Sequence, residues 1–104
     1  MTKVKICGLT QKNDILYVNE AMPDYIGFVF CDKSRRNIDI KTAGMLKENL
    51  NSKIKTVGVF LDKDFEFIKN ILKSGIIDLV QLHGEKDISF IKDIKNLQDI
   101  PIIK

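Results

Sequence analysis

A cysteine followed at once by glycine closes the run Val4-Lys5-Ile6-Cys7-Gly8-Leu9-Thr10. A β-type run that ends this way presents its last side chain at a strand tip, which makes Cys7 the first candidate for chemistry. A thiol acts as base or nucleophile in its thiolate form, which a nearby cation favours; Lys5 lies two residues earlier on the same strand face. Ser34-Arg35-Arg36 comes soon after Gly27-Phe28-Val29-Phe30, and His83-Gly84-Glu85 follows Val80-Gln81-Leu82. A thiol, an arginine and a histidine gathered at the same end of neighbouring parallel strands would form one site. Taken singly, each has a plainer use. Cys7 suits a small buried hydrophobe, Arg36 a solvated surface and His83 a satisfied structural histidine.

Hydrophobic periodicity supplies the elements that must position these residues. Strands are expected near Lys3 to Cys7, Ile26 to Phe30, Lys55 to Phe60, Asp78 to Leu82 and Ile100 to Ile103. Their starts fall about 22 to 29 residues apart, the size of one βα unit. Between them, helices are expected over Lys12 to Ala21, Asp39 to Leu50, Asp64 to Lys73 and Asp87 to Leu97. Pro23 stops the first. The second puts Ile40, Ala43, Leu46 and Leu50 on one face, the third Phe65, Ile68, Ile71 and Leu72, the fourth Ile88, Ile91, Ile94 and Leu97. Ser74-Gly75 ends the third. Acidic residues open several helices and lysines populate later turns, as the helix dipole favours.

Connections of this length make adjacent strands parallel and crossovers right-handed, so every strand's C-terminal end faces the same way. An open doubly wound sheet and part of an eight-stranded (β/α) barrel both fit. Alternation favours the barrel. Val4 and Ile6 oppose Lys5 and Cys7, and Val80 and Leu82 oppose Gln81 and His83. A sheet covered on both faces would be apolar on both, whereas a barrel interior becomes polar near its C-terminal rim.

In order and spacing, Val4 to Thr10, Gly27 to Phe30 with Ser34 and Arg36, Val57-Gly58-Val59-Phe60, Val80 to Glu85 and Pro101-Ile102-Ile103-Lys104 resemble phosphoribosylanthranilate isomerase of tryptophan biosynthesis. The resemblance implies an α/β fold, a TIM (β/α)8 barrel of about twice this length, of which residues 1–104 are the N-terminal half: about four βα units plus a fifth strand. It implies an Amadori rearrangement of N-(5-phosphoribosyl)anthranilate to its 1-deoxyribulose phosphate product, with no metal and no organic cofactor. An acid must protonate the ribose ring oxygen and a base must take the proton from C2. By resemblance Cys7 is that base, Arg36 engages the anthranilate carboxylate, and His83 lines the pocket or hydrogen-bonds substrate. Arg35 is expected to face solvent, and Gln81 to bridge polar groups inside the barrel. Gly8, Gly27, Gly58 and Gly84 are expected to serve backbone geometry and packing.

The family's general acid on strand six and phosphate loops after strands seven and eight have no counterpart in these 104 residues. The chain alone is therefore expected to be inactive, with open edges at its first and fifth strands. It should self-associate or pair with the absent C-terminal half; the alternative is a catalytically silent half-barrel module that assembles with itself. Cys31-Asp32-Lys33 replaces a run in which the family usually has proline, and Asn37 stands where an aromatic is common, changes expected to loosen the loop carrying Arg36. Indoleglycerol-phosphate synthase, a neighbouring phosphate-sugar barrel, relies on lysine and glutamate rather than a strand-one cysteine.

Seventeen basic against fourteen acidic residues give a net charge of +3 with the lysines dispersed, so no nucleic-acid stripe is expected. Apolar runs are too short for a membrane helix. No signal peptide precedes Val4, and two cysteines without paired spacing fit a reducing compartment, so cytoplasm is expected and a Cys7–Cys31 disulfide or zinc site is not.

Overall fold

The computed structural model describes residues 3–31, 35, 37–61, 65–83, 88–97 and 100–103. Strand and helix alternate as β1 (Lys5–Cys7), α1 (Lys12–Ala21), β2 (Tyr25–Phe30), α2 (Ile40–Glu48), β3 (Lys55–Leu61), α3 (Phe65–Ser74), β4 (Leu79–His83), α4 (Ile88–Leu97) and β5 (Ile102–Ile103). β1 is shorter than expected because Val4 donates its N–H to the Asp24 carboxylate at 2.8 Å, outside the ladder. The Asp14 carboxylate accepts from the Thr10 and Gln11 amides, both at 3.0 Å, which places negative charge at the positive end of α1. That helix ends at Met22 rather than by Pro23 alone. Met22 takes a left-handed φ of 51° and donates its N–H to the Val18 carbonyl. Asp39 caps α2 by accepting from the Thr42 amide at 2.7 Å, a bond that also holds its carboxyl below the usual value.

All five strands are parallel and lie in the order β1-β2-β3-β4-β5. A doubly wound sheet reverses its strand order partway across. This one does not, so right-handed crossovers stack the helices on a single face. The core agrees: Ile26, Phe28, Phe30, Phe60, Val80 and Leu82, all of one strand parity, meet Ile15 and Val18 of α1, Ala43 and Leu46 of α2, Ile68 and Ile71 of α3 and Ile94 of α4. Burying each such aliphatic or aromatic side chain stabilises by about 1.5–3 kcal/mol. Phe30 and Phe60, paired in register, stack at 5.2 Å, and Phe67 turns an edge to each. One apolar residue departs from the expected helix faces: Ile40, expected beside Ala43 and Leu46, stands at the surface in the first turn of α2.

A polar clamp fastens the N-terminal ends of β3 and β4 on the helix side. The fully buried Thr56 donates its N–H to Asp78 Oδ2 at 2.9 Å, and its hydroxyl lies 2.8 Å from the Ile76 carbonyl. Lys47 of α2 donates to both Thr56 Oγ1 and Asp78 Oδ2. Burial pushes the Asp78 carboxyl up, but the Thr56 amide and the Lys47 ammonium outweigh it and hold the group below its ordinary value.

The helix-free face is concave. Lys5 of β1 donates its ammonium to Gln81 Oε1 of β4, across two intervening strands. Cys7 is level in register with Gly27, Val57 and Leu79, so Gln81 lies four residues beyond the position level with Lys5. A flat sheet would hold these two Cα atoms roughly 19 Å apart. The two side chains together extend only about 11 Å, so the contact requires the curvature and strand tilt of a barrel wall.

Candidate active site

Cys7 is the last residue of β1, and the chain turns away immediately after it. Gly8 adopts φ 87°, a conformation that side chains disfavour, and donates its N–H to the Gly27 carbonyl at 2.9 Å. The half-buried thiol leans across to β2. Cys7 and Gly27 are register partners, and a Cβ added at Gly27 would lie 2.7 Å from Cys7 Sγ. The sulfur therefore occupies the space that any larger residue at position 27 would claim.

The Lys5–Gln81 contact fixes which other residues share this surface. Two residues farther along the same two strands come Cys7 and His83, the next positions of the same parity, and both end their strands. His83 is also the register partner of Leu61. The structure thus brings Cys7 and the His83 backbone to the same end of the sheet, a layer above Lys5 and Gln81. Arg36 lies outside the described residues. The loop that carries it leaves β2 at the same end.

Asn37 ties the base of that loop, while the looseness expected of the loop itself falls on residues 32–34 and 36, outside the described residues. Asn37 Oδ1 accepts the Cys31 N–H at 2.9 Å, Asn37 bridges Val29, and the Ile38 N–H donates to the Val29 carbonyl at 3.1 Å. A short polar side chain does this where an aromatic could not. Arg35 is exposed, as expected, and Cys31 is a buried free thiol. On the outer flank of β1, Cys7 and Gly8 border a cavity of about 100 Å³ with Ile6, Asp14 and Tyr17.

Chemically, this arrangement offers a proton-accepting or proton-donating sulfur at the rim of a polar, helix-free surface, with an ammonium and an amide one layer below. No aspartate or glutamate occupies an inward-facing position among the described residues of β1 to β4. The sequence placed Cys7 at a strand tip, as the structure does, but did not reveal its packing over Gly27, the partner of Lys5 or the tie made by Asn37. A partial signal for the first was present: a glycine inside the second strand, Gly27, where a bare position leaves room for a neighbouring side chain. The Lys5–Gln81 contact had no local signal, since it depends on sheet curvature.

A family model described as N-(5'phosphoribosyl)anthranilate (PRA) isomerase matches residues 4–104. The N-(5'-phosphoribosyl)anthranilate isomerase of Clostridium kluyveri is 47% identical over 92 residues, 88% of this chain and 46% of that protein. The one from Endomicrobium trichonymphae is 43% identical over 104 residues, 100% of this chain and 52% of that protein. The crystal structure of phosphoribosyl anthranilate isomerase from Thermotoga maritima superposes with a TM-score of 0.88 at 35% identity, covering 98% of this chain and 49% of that one. A further structure, of the isomerase in complex with reduced 1-(o-carboxyphenylamino)-1-deoxyribulose 5-phosphate, gives a TM-score of 0.89 at 35% identity, covering 98% and 52%. The chain spans about half the length of the curated relatives it matches.

Proposed function

The chain belongs to the N-(5'-phosphoribosyl)anthranilate isomerase family, and from that membership we propose that it is the N-terminal half of an isomerase acting on N-(5'-phosphoribosyl)anthranilate in tryptophan biosynthesis. Cys7 takes the proton from C2 of the ring-opened Schiff base. The acid that protonates the ribose ring oxygen, and the loops that hold the phosphate, come from the part of the relatives' length that this chain does not match. Arg36 receives the anthranilate carboxylate, for which its planar guanidinium suits, and His83 borders the same pocket. The 104 residues alone do not turn over. They work once the concave face is covered, and they do so in the cytoplasm. No helix among the described residues is long and apolar enough to cross a membrane.

The observation that carries this reading is the placement of the Cys7 thiol. It stands at a C-terminal strand tip, on the concave face, with Gly27 left bare beside it. Active sites of this fold class occupy that end of the strands. The test is to refold the chain together with the C-terminal half of the Clostridium kluyveri relative and follow formation of the ketose product by NMR. The mixture should be active and the chain alone inactive. Cys7→Ala should lower the rate by about 10²–10⁴-fold, the usual span for losing a positioned acid or base. Full activity in Cys7→Ala would end the assignment.

A further inference from the structure

Lys5 sits inside the concave face, and Lys3, Lys53 and Lys55 border, together with Asp24, a pocket of about 360 Å³ at its N-terminal foot. Neither nearby acid pairs with Lys5 among the described residues: Asp24 accepts the Val4 N–H, and Asp78 is held by Thr56 and Lys47 on the helix side. The lysines at the foot can keep their ammonium groups in water. Lys5 cannot once the face is covered, because it lies a layer below the rim and is drawn across the hollow to Gln81. The glutamine oxygen satisfies one of its three N–H donors and supplies no counter-charge. Enclosing that ammonium with no carboxylate beside it would cost several kcal/mol.

We propose that the segment covering this face presents an inward aspartate or glutamate to Lys5, one layer deeper than the Cys7 tip, and that a second copy of this chain is therefore the wrong cover. The inference rests on the functional reading above and names the chemistry of the partner half. A second copy would add another Lys5 and no described inward acid, setting like charges together in a closed space. The partner half fits on two further grounds. The relatives have about as much length beyond the matched region as within it. The flank where the next βα unit would dock is unusually apolar, with Val4 53%, Leu16 67% and Tyr17 65% exposed beside the unpaired edge of β1.

The experiment is a double-mutant cycle on the complex of this chain with the C-terminal half of the Clostridium kluyveri isomerase, the two halves being refolded together. The dissociation constant is measured for Lys5→Met, for each inward acid of the partner neutralised in turn, and for each combination. Lys5→Met should weaken the complex roughly 100-fold or more by stranding the carboxylate. Neutralising one particular acid should cost a similar factor, and combining the two should restore the constant to within about tenfold of the parent. Lys5→Arg, which keeps the charge, should bind better than Lys5→Met. The unmodified chain alone should sediment as a monomer. Additive losses at every acid would overturn the proposal, as would a tight homodimer of the unmodified chain or a failure of the halves to associate. An active complex without coupling to Lys5 refutes this inference and leaves the isomerase reading standing. A coupled but inactive complex does the reverse.

Discussion

Replacing Gly27 by alanine tests how the thiol is held. The new Cβ would lie 2.7 Å from Cys7 Sγ and 3.4 Å from Cys7 Cβ. The first distance is about 1 Å short of ordinary contact between such atoms. Two responses can relieve it: the sulfur rotates to another staggered well, or β1 and β2 spread. Overpacking of this kind costs about 1–3 kcal/mol, and the loss of glycine's freedom in the unfolded chain returns about 0.4–1 kcal/mol. The net expectation is ~1 kcal/mol of destabilisation, a fall of about 0.5–1 M in the urea midpoint for a domain of this size. The clearer signature is the thiol itself. In a Cys31→Ser background, the alkylation rate of Cys7 should change several-fold, because its position over residue 27 is lost. In the completed enzyme, displacing a reacting atom by about 1 Å should lower turnover on the order of 100-fold. If Gly27→Ala leaves both the alkylation rate and the urea midpoint unchanged, the sulfur does not occupy that space and the account of the site's geometry fails.

Two further substitutions probe the scaffold. Asp78→Asn should lower stability by about 1 kcal/mol at pH 7, a modest figure because the Lys47–Asp78 pair is partly exposed and water screens it. Asp78 has a folded-state pKa below its unfolded value of about 3.9. Its contribution is therefore complete above that unfolded value and is lost as pH falls through the folded one. The variant should show a shallower acid decline in urea midpoint, and an unchanged decline would mean the clamp is not what titrates. Asn37→Ala removes the acceptor for the Cys31 N–H. It should speed hydrogen exchange at that amide about tenfold while costing roughly 0.5–1.5 kcal/mol. Unchanged exchange would mean that the Ile38–Val29 bond alone holds the loop base.

The parity of the strands was legible because alternation is local: Lys5 and Cys7 fall opposite Val4 and Ile6 whatever the rest of the chain does. The same alternation favoured a barrel wall over a doubly wound sheet, although both contain the same βα units, and the sequential strand order agrees with it. Ile40 was misplaced because a helical wheel reports an apolar arc without saying where a neighbour stands. Cys7 was legible as a strand-tip thiol from the single dipeptide Cys-Gly. Its contact with Gly27 needed the register between two strands, and the Lys5–Gln81 contact needed the curvature of four.

Those two kinds of information map onto the two faces of the sheet. What holds these residues together lies on the helix side, where Phe28, Phe30, Ile68 and Ile71 are fully enclosed and the Thr56 clamp ties α2 to β3. The residues suited to chemistry lie on the other side, where Lys5 remains exposed and Cys7 half-exposed. Covering the concave face would therefore alter the surroundings of Lys5 and Cys7 far more than those of Phe28 or Ile71. Water competes with every polar contact on the open face, and the same contacts strengthen when it is excluded. The groups that fix the shape of this sheet are therefore not the groups proposed to carry its chemistry.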